Sequence, residues 1–162
     1  MATNPTSDLA MVLDSLRTLI ATSSTFQTWT STASVALAKV RVYGFAEASP
    51  TRPCAYVGWV NGRVKRGGYI SGQLKVIFEM ATAAAYQQAG AEATDFLSAA
   101  YDFVNSAGQV LEDMMEQSEA PGYLFIPARG IDFQQVARTD REDQTDYHQL
   151  HCTIPYGLDS NP

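Results

Sequence analysis

The sequence predicts an α+β fold: a mostly antiparallel sheet of about four to five strands, with a long helix and N-terminal helices packed on one face. Three observations predict it. Two stretches place apolar residues at helical spacings of three and four, Leu9 to Ile20 and Ala93 to Met114. Two pairs of alternating segments are each joined by a turn-forming sequence, and the order helix, helix, strand, hairpin, long helix, hairpin leaves sheet faces that the helices must cover. The 162 residues suit one domain, so 1–162 is read as a single unit with short flexible termini at about 1–6 and 157–162.

Ser7 can cap the first helix, whose stripe is Leu9, Val12, Leu13, Leu16, Leu19 and Ile20. Ser23-Ser24-Thr25 interrupts it and can cap a second helical stretch holding Phe26, Trp29, Val35 and Leu37. Lys39 to Phe45 alternates Val40 and Val42 with Arg41 and Tyr43, the signature of a short strand, and the two prolines of Ala46 to Pro53 mark a loop. Cys54 to Val60 reads as a strand. Tyr69 to Met80 reads as another, with Leu74, Val76, Phe78 and Met80 on one face and Gln73, Lys75, Ile77 and Glu79 on the other. Between them Asn61-Gly62, whose residues tolerate positive φ, signals a hairpin with Arg63, Lys65 and Arg66 at a basic tip. Ala81 to Gly90 is a small-residue connector. The long helix runs from Ala93 to Ser118, with Glu119 to Gly122 as its stop. Ile131 to Ala137 and Asp146 to Tyr156 form a second hairpin around Asp140-Arg141-Glu142-Asp143, with Leu150, Cys152 and Ile154 sharing a face.

Composition narrows the function classes. Eleven Lys and Arg against 17 Asp and Glu give a formal net charge of -6, the reverse of a protein that coats nucleic acid. Only 17% of residues are charged where about 25% is usual, yet 10% are aromatic, which excludes a disordered chain. Strand faces that carry Gln, Thr and Tyr in place of Lys and Glu are the kind that meet other protein. Met1 to Ala10 has neither the basic nor the apolar segment of a secretory signal, and no run approaches the ~18 apolar residues of a membrane span. A soluble chain made in the cytosol is expected, its Cys54 and Cys152 reduced and buried.

No arrangement of residues assembles an active site, and neither metal nor cofactor is expected. His148 and His151 lie three apart on a strand and point to opposite faces, so they cannot chelate one ion; polar residues on a solvated or subunit-facing strand are the better reading. Cys152 continues a core face and diverges from His151, against a thiol nucleophile. Glu112 and Glu116 share a helix face, but acids at a helix C-terminus oppose the macrodipole and favour a basic partner. The glycines around the first hairpin lack the strand-to-helix context of a phosphate loop. A protruding basic hairpin, Arg63, Lys65 and Arg66, meeting an acidic patch on another copy accounts for both the tip and the acidic segments Glu112 to Glu119 and Asp140 to Asp146, with Asp140, Arg141, Glu142 and Asp143 as the expected contacts; such complementarity steers assembly. Two other readings stand beside it. One is a small-ligand domain or enzyme with a pocket lined by Tyr56, Trp59, Phe78 and Phe103; the other is a regulator binding nucleic acid through the basic tip.

Leu16-Arg17-Thr18-Leu19-Ile20-Ala21 followed by Ser24-Thr25-Phe26-Gln27 resembles the N-terminal helices of tail terminator and related neck proteins of long-tailed bacteriophages. Ile131-Asp132-Phe133 through Arg138-Thr139-Asp140, then Tyr147 to Gly157 with its aromatic-Gly ending, resembles their closing hairpin. The resemblance implies a structural virion protein of the tail or neck, made in the host cytoplasm. It implies a homo-oligomeric, six-fold ring that ends tail-tube polymerisation and joins the tube protein to a head-connector or head-closure protein. DNA would pass through without sequence-specific binding, no catalytic residue is carried over, and subunit contacts would map to Asn61 to Gly68 and Asp140 to Asp146. Head-closure and minor tail components of the same fold remain alternatives.

Overall fold

A computed structural model describes residues 5–67, 69–81, 93–118, 130–139 and 146–157. Helix α1 spans Pro5–Thr22, starting inside the expected polar lead, and buries Val12, Leu16, Leu19 and Ile20 as its spacing requires. Ser23 ends it and begins the next helix. Its N–H donates to Ile20 O at 3.1 Å, closing α1, while its extended backbone (φ -62, ψ 122) and its hydroxyl, accepting from Phe26 N at 3.1 Å, cap α2, Ser24–Trp29. The second helical stretch is broken in two: Ser31 takes φ 55, and Ser34 caps α3, Val35–Lys39, by accepting from Leu37 N.

The strands are β1 Val42–Gly44, β2 Cys54–Lys65, β3 Tyr69–Ala81, β4 Asp132–Thr139 and β5 Asp146–Gly157, with the long helix α4, Ala93–Gln117, between β3 and β4. They form one five-stranded sheet in the order β1-β2-β3-β5-β4, antiparallel except for the parallel β1–β2 pair. The α+β expectation therefore holds. The long β2–β3 hairpin turns elsewhere than expected: Asn61 and Gly62 are paired strand residues opposite Gln73 and Gly72, and Gly67, at φ 96, carries the positive φ. Val60 is the extra residue of a bulge, since the register shifts between Trp59 and Asn61.

Period-2 alternation assigns the two faces. Ala55, Val57, Leu74, Val76, Phe78, Leu150, Cys152 and Ile154 point under the helices and are buried against Leu16, Leu19, Ile20, Phe26, Phe103, Val110 and Met114. Aromatic rings tie the layers together: Trp29 lies 6.2 Å from Phe78 and 5.8 Å from Phe103, and Phe26 lies 6.4 Å from Phe78. Each such buried side chain contributes roughly 1.5–3 kcal/mol. Polar ties fix the helices to one another and α1 to β1. Ser23 Oγ donates to Asp113 Oδ2 at 2.6 Å, and Arg17 donates to the carbonyls of Val42 (3.0 Å) and Lys39 (3.1 Å). The terminal residues, the small-residue connector after Ala81, the stop after Ser118 and Asp140, Arg141, Glu142 and Asp143 lie outside the described residues.

Candidate functional site

On the face of the sheet away from the helices, strand parity brings Cys54 and Tyr56 of β2, Glu79 of β3, and Tyr147, Gln149 and His151 of β5 together. Glu79 sits where a solvated residue was expected, yet it is only 1% exposed. The loop between β1 and β2 supplies the cover: Thr51 N donates to Tyr43 Oη at 3.0 Å, and the Arg52 guanidinium lies 4.1 Å from the centre of the Tyr147 ring. Arg52 Nε then donates to Glu79 Oε1 at 2.7 Å, Tyr56 Oη donates to the same oxygen at 2.8 Å, and Gln149 Nε2 donates to Oε2.

The electrostatics follow from these bonds. Burial by itself raises the Glu79 carboxyl's pKa, but three donors and the Arg52 charge outweigh burial and hold it below the ordinary glutamate value. Burial and the bond to Glu79 keep the Tyr56 phenol protonated far above its usual range. Because a carboxylate only accepts, Gln149 turns its NH₂ toward Glu79 and its carbonyl toward His151. His151 Nε2, 2.9 Å from that carbonyl oxygen, is therefore the protonated nitrogen. Burial and the Lys75 charge lower the pKa of this histidine against the opposing pull of Glu79. Arg52, Tyr56 and Gln149 together occupy both oxygens of the Glu79 carboxylate, an arrangement that pins the β1–β2 loop across β2, β3 and β5. It holds the carboxylate charge in place with three side-chain donors.

The two thiols are equally unsuited to nucleophilic work. Burial pushes Cys54 up to about 11 and Cys152 up to about 12, and neither forms a disulfide. His148 and His151 do occupy opposite faces, but His148 is not solvated: it is buried and stacked on Phe103 at 6.1 Å. Tyr56 faces away from Trp59, Phe78 and Phe103, so the four aromatics line no common pocket; Phe78 and Phe103 are plain core. Glu112 and Glu116 are exposed, while Asp113 between them is held by Ser23 and by Gln109 Nε2 at 3.2 Å. Among the described residues no group of three potential metal ligands occurs, and no helix is long and apolar enough to cross a membrane.

Arg63 and Lys65 are residues of β2, opposite Ser71 and Tyr69, and Arg66 is an exposed turn residue, so the basic cluster straddles the end of the hairpin. Thr139 and Asp146, which flank positions 140–143, pair at the opposite end of the sheet, level with Ala81. Along β3 that separation is twelve residues, about 40 Å. Arg63, Lys65 and Arg66 and the Thr139–Asp146 pair thus lie at opposite ends of the sheet. No family model and no curated protein matches this chain.

The remaining candidate surfaces are apolar. On β4, Phe133 is 64% exposed beside exposed Gln134 and Gln135, and near β1 Val40 is 63% exposed. The Glu79 cluster had one signal in the sequence, a lone carboxylate within the apolar alternation of β3. What completes it, the pairing of Glu79 with Gln149, spans 70 positions that local pattern does not connect.

Proposed function

We propose that this protein is a structural component of a virion that assembles as a homo-oligomeric, six-fold ring at the end of a phage tail tube, halting tube growth and joining tail to head. The observation that carries the reading is the contrast between its inside and its surface. The buried Glu79 carboxylate takes its three donors from its own chain, whereas apolar side chains stand exposed at the sheet's two edges, Phe133 on β4 and Val40 and Phe45 beside β1. Polar chemistry serves folding and apolar surface is left for protein partners. The resemblance of Leu16 to Gln27 and of Ile131 to Gly157 to tail terminator and neck proteins supplies the place of action. The basic hairpin end with Arg63, Lys65 and Arg66 gives the ring one charged rim, suited to an acidic partner surface, and a net charge of -6 fits a lumen along which DNA slides without adhering. Electron microscopy of the protein mixed with tail tubes tests the reading: a ring capping the tube end is expected. Absence of any ring, with light scattering showing a monomer at high concentration, would refute it.

A further inference from the structure

The pairing registers align one residue from every strand at a single level of the sheet: Gly44, Val57, Val76, Cys152 and Phe133. Directly paired residues share a face, so Phe133 projects on the helix side at one edge and Gly44 lies on the helix side at the other. The two ends of this row are complementary. Phe133 is an exposed aromatic knob on β4, which among the described residues pairs with β5 alone. Gly44 opens into a groove of about 440 Å³ lined by the apolar Leu13, Val40 and Val57 with Tyr43, Arg17 and Glu47 at its polar side, and a Cβ built on Gly44 meets no atom within 4 Å. Roughly 150 Å³ suffices for a benzene-sized group. The strand directions also agree: β1 runs with β2, and three antiparallel pairings leave β4 antiparallel to β1.

We infer that the subunit contact of the ring is edge to edge, with β4 of one copy lying antiparallel to β1 of the next and Phe133 of the first seated over Gly44 of the second; this rests on the ring reading and gives it an interface. A rotation about an axis parallel to the strands keeps every copy's row at one height, which brings the knob to the groove without any shift of register. Because knob and groove are different patches, the contact is heterologous and closes into a ring when the rotation divides a full turn. Area also selects a ring over a pair. An eight-residue edge is about 26 Å long and a sheet plus one helix layer about 20 Å deep, roughly 500 Å² per partner, short of the ~800 Å² of a standard stable interface. Closure engages both edges of every copy.

Cysteine cross-linking reads the contact directly, since Cys54 and Cys152 are buried and do not interfere. The variants F133C and G44C are expected to stay monomeric on non-reducing gels when oxidised alone, to give a dimer when mixed, and to give a ladder when both changes are in one chain. A dimer from F133C alone, or no dimer from the mixture, would overturn the contact. In a second measurement G44L, which has room in the isolated chain, is expected to keep the wild-type circular dichroism and melting temperature and to weaken association roughly tenfold or more, the cost of excluding one buried phenyl group. Rings that form on tubes as well with G44L as with wild type would refute the contact and leave the ring reading standing. A wild-type chain that forms no ring with or without tubes would refute both.

Discussion

Arg52→Ala tests whether the Glu79 cluster pins the fold. Arg52 is 23% exposed and Glu79 1%, so the change removes a cation hydrogen-bonded to a fully buried carboxylate and leaves it, among the described residues, with two neutral donors, Tyr56 and Gln149. Breaking a buried ion pair by deleting one partner costs about 3–5 kcal/mol, and the two surviving donors place this case near 3. At 2–4 °C per kcal/mol for a chain of this length, the melting temperature should fall by roughly 6–12 °C at pH 7. Urea denaturation of wild type, R52A, E79Q and R52A/E79Q supplies the double-mutant cycle, and the double variant should recover much of the loss because no charge remains buried. The pH profile gives an independent reading. The Glu79 carboxyl titrates lower in the folded chain than in the unfolded one, so its contribution is present above the ordinary glutamate value of 4.5 and is lost as pH falls below it toward the folded value. That acid-limb loss should be smaller in E79Q. An R52A variant within 0.5 kcal/mol of wild type, the range of an ordinary surface change, would refute the argument.

Gly72→Ala should destabilise by about 1–3 kcal/mol or more in denaturant titrations, because its Cβ would stand 2.3 Å from the Asn61 carbonyl oxygen and 2.6 Å from the Gly62 Cα, atoms of the paired backbone. Gly62→Ala, whose Cβ meets nothing nearer than 3.4 Å, should cost under about 1 kcal/mol. Ser23→Ala removes both the α2 cap and the bond to Asp113 and should cost about 1–2 kcal/mol in the same assay. Native protein at pH 8 should react with a thiol reagent far more slowly than urea-unfolded protein at both Cys54 and Cys152, since burial holds both thiols protonated; equal rates would contradict that environment.

The fold was legible where local periodicity and tertiary burial coincide. Leu74, Val76 and Phe78 alternate in the chain and are buried in the structure, and the α1 spacing of Leu16, Leu19 and Ile20 translates directly into its buried stripe. Asn61-Gly62 misled because glycine serves two purposes. Here Gly62 pairs with Gly72 inside the ladder, and it is Gly72 whose missing side chain lets the two backbones approach closely beside a bulge, while Gly62 has room for a Cβ and makes no turn. The split between α2 and α3 turned on Ser31 adopting φ 55, which a Ser- and Thr-rich segment does not announce. The Glu79 cluster was hidden for a different reason: strand alternation assigns a face but not what covers it, and the cover comes from a loop whose arginine reaches a residue 27 positions further along the chain.

The edge contact and the charge pattern make separable demands on a ring. Charge alone suggested that the basic hairpin end of one copy meets an acidic segment of another, but the basic residues and the Thr139–Asp146 pair lie at opposite ends of a sheet about 40 Å long. If copies stand side by side with their strands parallel to the ring axis, like ends gather together: every Arg63, Lys65 and Arg66 falls on one rim, and every Thr139–Asp146 pair on the other. Charge then has no part in closing the ring and instead makes its two rims chemically unlike, as an element joining two different partners requires. Replacing Arg63, Lys65 and Arg66 by Glu should therefore leave the melting temperature and the cysteine cross-link between positions 133 and 44 unchanged. The same variant should lose attachment to whichever partner meets the basic rim, scored by electron microscopy of rings on tubes and on heads. Loss of the cross-link in that variant would show that the basic end lies between subunits and that the copies are arranged head to tail along their strands.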